Sequence, residues 1–206
     1  MKNHKNLSII ELKKLSNKDY GDITKLILEE NKSSILASLN KKTIKQYLDN
    51  IASSNTVFLF VIKSINKIIG YSIIAKRTDN LISVFSNLKI KILLLLIINF
   101  KFITLINLIL GYLKIDILFL NKKTKQIIDN NYNLNLLAIN RQFQSKGIGT
   151  IFLKSIFKKV KTKYITCETI DDKATKFYQL RHKFKLMGSK LRIPKNQKIL
   201  YKKIIL

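Results

Sequence analysis

Apolar side chains recur along this 206-residue chain with two periods, and each period predicts a different element. Ile23, Leu26 and Ile27 fall three or four residues apart, which predicts a helix over residues 19–30. Ile44, Tyr47, Leu48 and Ile51 do the same for 43–52, and a third helical pattern covers 151–160. Strand-like runs stand at 8–14, 56–63, 67–77, 134–139, 164–169 and 199–204. Strands alternating with helices predict an α/β fold with a mixed central sheet and flanking helices.

One stretch breaks the pattern. Nearly every residue from 92 to 113 is apolar, interrupted by Asn99, Lys101, Thr104 and Asn107. The length suits a bilayer span, but Lys101 near its middle would cost about 2.5 to 3.5 kcal/mol on insertion scales. A single crossing would also leave strands of one sheet on opposite sides of the membrane; two short re-entrant helices would avoid that, at the cost of lipid-exposed turns. Lys101, Thr104, Asn107, Gly111 and Lys114 lie three or four apart, so the expectation is a helix with one polar stripe. It belongs to an apolar helical insertion at about 79–131, between the third and fourth strands. Three roles are open to it: packing that roofs the acceptor side, a homo-oligomer interface, or peripheral contact with a membrane. In the last, Lys89, Lys91, Lys114, Lys122 and Lys123 would face anionic headgroups.

Composition changes this picture little. With 47% hydrophobic residues, the length fits one domain spanning 1–206. The formal charge of +27 raises nucleic acid or anionic surfaces as partners. Yet only Arg77, Arg141, Arg181 and Arg192 carry guanidinium groups, without a cluster, so no specific nucleic acid is expected. Cys167 alone cannot build a disulfide scaffold; it is read as a small buried residue in a reducing compartment. No secretory signal is visible, so a cytoplasmic location is expected, with the inner membrane surface as the place for any peripheral contact. No metal site is expected.

The chemistry lies in a turn. Gln144, Ser145, Lys146, Gly147, Ile148, Gly149 and Thr150 follow an apolar strand and precede a helix. There the first-turn N–H groups and the helix dipole favour a phosphate, and glycines let it approach. A Walker loop is excluded because Lys146 precedes its glycine, and the dinucleotide fingerprint lacks its third glycine.

Gln144, Gly147 and Gly149 match the signature Gln/Arg-x-x-Gly-x-Gly/Ala, and residues 171–178, Asp-Asp-Lys-Ala-Thr-Lys-Phe-Tyr, resemble Asn-x-x-Ala-x-x-Phe-Tyr. On these two motifs, in this order and spacing, the chain resembles the GNAT superfamily of N-acetyltransferases. Residues 56–63 and 67–77, with Gly70, look like its antiparallel hairpin; only 79–131 fall outside the resemblance. The resemblance implies acetyl-CoA as co-substrate, its pyrophosphate held by backbone N–H groups from Gln144 to Thr150. The strand edge at Leu136, Leu137, Ala138 and Ile139 would pair with the pantetheine arm. Asp171 would stand beside the cofactor in place of the usual Asn. Tyr178 would protonate the leaving thiolate, its phenol having an ordinary pKa of about 10.

The family's usual Glu is replaced by Asn133 and Asn135. Glu168 is the catalytic-base candidate, with Glu29 and Glu30 beside it, and a water relay to solvent is equally tenable. His182 lies too close to the cofactor-side helix end to serve. The expected activity is transfer of an acetyl group to a primary amine, admitted near 31–42, with an amino sugar of a surface-glycan pathway as preferred acceptor. The alternatives are a non-catalytic acyl-CoA-binding or membrane-surface module, or a protein N-terminal acetyltransferase.

Overall fold

The computed structural model describes residues 6–32, 34–76, 89–98 and 100–204; the expected strand end at Arg77 and the insertion's expected start at 79–88 lie outside them. The elements run β1 (Leu7–Glu11), α1 (Asn17–Glu30), α2 (Lys41–Ala52), β2 (Val57–Ser64) and β3 (Lys67–Lys76). The insertion supplies α3 (Lys89–Ile98), α4 (Phe102–Tyr112) and α5 (Lys122–Asn130). Then come β4 (Tyr132–Ile139), α6 (Ile148–Lys159), β5 (Tyr164–Thr169), α7 (Asp172–Lys176), β6 (Lys185–Lys190) and β7 (Gln197–Lys203). The strands form one seven-stranded, mostly antiparallel sheet in the order β1-β2-β3-β4-β5-β7-β6.

Backbone contacts group the chain into two compact units, Met1–Ala75 with Asn135–Val160 and Lys76–Leu134 with Lys161–Leu206. In the first, Ser16 and Asp19 close a reciprocal capping box at the start of α1, and Asn40 caps α2. The helical stripes read from the sequence are the buried ones: Ile23, Leu26 and Ile27 on α1; Ile44, Tyr47, Leu48 and Ile51 on α2. Each fully buried Ile or Leu contributes roughly 1.5 to 3 kcal/mol of transfer free energy. β2 and β3 pair antiparallel around the 64–67 turn, as the hairpin reading requires. Gly70 is needed for close approach: a Cβ there would stand 2.8 Å from the Ala138 carbonyl oxygen of β4.

In the second unit, β4 pairs parallel with β5 over Tyr132, Asn133 and Leu134, and the ladder ends there. β7 pairs antiparallel with both β5 and β6. The single helix expected over 92–113 is two helices, because the chain turns between Ile98 and Phe102, with Phe100 at a φ of 52°. Among the described residues no helix is long and apolar enough to cross a membrane. The first strand is also shorter than the expected 8–14, and β6 was not foreseen.

Of the expected polar stripe, Asn107 faces the protein, while Lys101 and Lys114 at its ends are exposed. Asn107 donates to the Ile193 carbonyl at 2.8 Å and accepts from the Ile193 N–H at 2.9 Å. The Leu191 N–H donates to the Asp116 carbonyl at 2.8 Å, which ties the insertion to the chain beyond β6.

Candidate active site

In the first unit the glycine turn grows from the end of β4. The Asn140 N–H donates to the Ile69 carbonyl on β3 at 2.8 Å, which fixes where β4 stops. A single 3-10 turn, Arg141–Phe143, follows, with the Asn140 side chain accepting from the Gln142 N–H. Ser145 and Gly147 adopt left-handed backbone, with φ of 59° and 80°, and their combined reversal sends the chain into α6. Gly147 suits this conformation without a steric penalty. A Cβ at Gly147 would meet no protein atom, so the φ, rather than packing within the protein, asks for glycine.

Gln144, read from the signature as part of the cofactor site, has its side chain turned inward. Its Nε2 donates to the Ile139 carbonyl at 2.7 Å and to Glu30 at 3.2 Å. Glu30 also accepts from the Arg141 N–H at 2.9 Å. Gln144 and Glu30 therefore brace the turn between β4 and α1, an arrangement that leaves backbone groups as the turn's chemistry. Ile148 is buried and seats the helix start, whereas Ser145, Lys146 and Gly147 are exposed.

The first turn of α6, like that of α4 behind Lys101, has no side-chain cap, in contrast to four other helices. α1, α2, α5 and α7 open on Ser16, Asn40, Asn121 and Asp171, and in each the side chain accepts a first-turn N–H. α6 opens on Gly147 with no side-chain cap and no acidic residue in its first turn. The N–H groups of Ile148, Gly149 and Thr150 thus keep the partial positive charge of an uncapped 12-residue helix. Beside the turn, Lys25, Glu29, Glu30, Lys32, Lys67, Asn140, Arg141 and Gln142 line a cleft of about 460 Å³. Glu29 and Glu30 face four cationic side chains there.

The second unit holds the other motif. Asp171 caps α7: its carboxylate accepts from the Lys173 N–H at 2.8 Å, and its own N–H donates to the Thr169 hydroxyl at 3.0 Å. The carboxylate expected beside a cofactor thus has a structural task. α7 lasts five residues and passes into a π-helical turn, Phe177–Arg181. Tyr178 lies in that turn, buried, with ring centroids 5.3 Å from Phe177 and 5.4 Å from Phe184. Burial pushes its phenol well above the ordinary range, and the nearby Cys167 sulfur adds to the shift. Tyr178 is therefore a neutral hydroxyl donor at physiological pH. Cys167 is itself buried, and burial raises its thiol.

Glu168 forms an ion pair with Lys190 of β6, and Lys190 also reaches Asp116 at 3.4 Å. All three are largely buried, so one ammonium serves two carboxylates. Asn133, at the family's Glu position, is buried as well; it accepts from the Thr166 hydroxyl at 3.0 Å. Sequence reasoning missed the Lys190 and Asp116 partners because neither β6 nor the turn at Ile115–Ile117 shows a periodic pattern.

No protein-family model matches the sequence, and no curated protein matches it at a significant level. Solved structures do match. An acetyltransferase from Thermus thermophilus superposes with a TM-score of 0.58 at 11% identity, covering 96% of this chain and 98% of that one. The ribosomal-protein-S18-alanine N-acetyltransferase from Escherichia coli gives 0.56 at 10%, over 97% and 95%. An acetyltransferase of the GNAT family from Streptococcus pneumoniae gives 0.54 at 13%, over 96% and 99%. The chain has the GNAT fold.

Proposed function

We propose that this chain is an acetyl-CoA-dependent N-acetyltransferase, transferring an acetyl group to a primary amine by direct attack on the thioester. The observation that carries the reading is the glycine turn itself: Gly147 in left-handed backbone opens α6, whose first turn has neither a side-chain cap nor an acidic residue. The N–H groups of Ile148, Gly149 and Thr150 fit a pyrophosphate, and the Gly147 backbone gives it room to approach. The edge of β4 at Leu137, Ala138 and Ile139 lies past the end of the β5 ladder, which suits strand-like pairing with the amides of pantetheine. The amine nitrogen would attack the acetyl carbon, the carbon–sulfur bond would break, and Tyr178 would give its phenolic proton to the leaving thiolate. Holding donor and acceptor in line would supply most of the acceleration.

The amine must lose a proton, and the carboxylates named for that task are engaged. Glu29 lies 3.8 Å from Lys25, Glu30 accepts from Arg141 and Gln144, and Glu168 is paired with Lys190. This favours transfer of the amine proton to solvent water, with Glu168→Gln as the direct test of a protein base. A small amine is the proposed acceptor, amino sugars being the first class to assay. The likeness to a ribosomal-protein-S18-alanine N-acetyltransferase makes peptides with free amines the second.

Calorimetry with acetyl-CoA should show binding, and Gly147→Glu should weaken it at least about a hundredfold by placing a carboxylate where the pyrophosphate lies. Mass spectrometry of products from amino sugars, polyamines and peptides would identify the acceptor. Absence of acetyl-CoA binding, or binding indifferent to Gly147→Glu, removes the proposal.

A further inference from the structure

We infer that α3 and α4 form a face that docks on the surface of a bilayer carrying anionic headgroups. On α4, Phe102, Ile103, Ile106, Ile109 and the following Leu113 fall within one stripe at helical spacing, and all five are exposed. No residue of α4 is buried. The exposed apolar surface continues through Leu94, Ile97 and Ile98 of α3 and through Phe100, which is 79% exposed. Scattered apolar residues on a surface need no explanation, whereas a contiguous face of Ile, Leu and Phe on two successive helices does.

The helix is fixed in this orientation. Asn107 spends both ends of its amide on the backbone of Ile193, so turning the apolar stripe inward would break two hydrogen bonds. The side of α4 toward the protein carries Asn107 with half-buried Thr104, Leu105 and Leu108, while the opposite side presents Phe and Ile side chains to the surroundings.

Length and charge decide what covers the face. α3 and α4 have 10 and 11 residues. Each is about 15 Å long, half of the roughly 30 Å hydrocarbon core, so they fit lying in an interface and not crossing it. Exposed Lys101 sits between the two helices, Lys114 follows α4, and Lys122 and Lys123 begin α5. A second copy of a chain of charge +27 would bring like charges against these lysines; anionic headgroups would neutralise them.

The chain has no tryptophan, so Ile106→Trp gives a single fluorescent reporter on the apolar stripe. With vesicles of phosphatidylcholine and phosphatidylglycerol its emission should shift to the blue. Phosphatidylcholine alone, or high salt, should weaken partitioning about tenfold or more. The double variant I106D/I109D should lower sedimentation with anionic vesicles at least about tenfold while keeping the parent's circular dichroism and thermal midpoint. Three results overturn the inference: no binding to anionic vesicles; equal binding by I106D/I109D, which would leave charge alone responsible; or a dimer by light scattering that I106D/I109D disperses.

Discussion

The turn at 144–150 and the segment at 171–178 are two motifs built on opposite principles. The turn is exposed, its Gln144 side chain is folded back as a brace, and its helix begins without a cap. What it offers a ligand is backbone. The segment is the reverse: its helix is capped by Asp171, and the group proposed to react is the side chain of Tyr178, set among Phe177 and Phe184. A backbone site is recognisable by the left-handed glycine that opens its helix and by the first-turn N–H groups left uncapped behind it. A side-chain site in an aromatic cluster looks the same as core, and only chemistry separates the two readings of Tyr178.

The largest expected effect tests that separation. Tyr178→Phe keeps the ring contacts and removes the hydroxyl. If Tyr178 is the acid, kcat should fall about a hundredfold or more while acetyl-CoA affinity holds. A core tyrosine would leave kcat unchanged. The pH dependence sharpens this. Because burial raises the Tyr178 pKa, its protonated form persists in the folded protein, so no falling limb from this group should enter the rate profile below about pH 10. The same shift is a stability contribution, complete below the unfolded pKa and lost as pH rises through the higher folded one.

A smaller effect, and one of opposite sign in two measurements, tests the turn. Thr150→Glu places a carboxylate in the first turn of α6, where the dipole should reward it by about 0.3 to 1 kcal/mol. If the turn is merely a helix start, the variant is more stable and otherwise unremarkable. If it cradles a pyrophosphate, the thermal midpoint should rise while acetyl-CoA affinity drops about tenfold or more, since the new charge occupies the ligand's N–H groups. Stability without loss of affinity would break the comparison between the two motifs.

How much of this could be read from the sequence follows the same division. The stripes of α1 and α2, the 64–67 hairpin and the glycine turn were all legible, because each is encoded by local spacing or by a backbone demand. The break at Phe100 was not: Asn99 and Lys101 flank it, but with neither Gly nor Pro there they read equally well as polar positions of one continuous helix. Nor could periodicity say which side of α4 faces inward, since a polar stripe reads alike whether it meets water or the backbone of Ile193. β6 carries Lys185, Gly188, Ser189 and Lys190 with no alternation, and so Glu168 looked free when it is paired with Lys190. Tertiary partners of charged residues are set by strand order, which local pattern does not contain.

Asp171 gives the smallest and most discriminating test of the segment. It stands where the family pattern has Asn, beside the expected cofactor, yet its carboxylate accepts the Lys173 N–H and caps α7. Asp171→Ala removes that cap and should cost about 1 kcal/mol of stability, read as a lowered urea midpoint. Asp171→Asn preserves an acceptor of the same shape and should recover most of it. The two variants part company on the cofactor. If the residue only caps, acetyl-CoA affinity should be the same in the parent and in Asp171→Asn. If it also faces the cofactor, Asp171→Asn removes a negative charge and adds a donor, so affinity should rise by a few-fold at low salt, and the gain should shrink as salt screens it. An equal loss of affinity in both variants would show that α7 must be held in place for binding, which would couple the segment to the turn by position and leave the carboxylate without a role of its own.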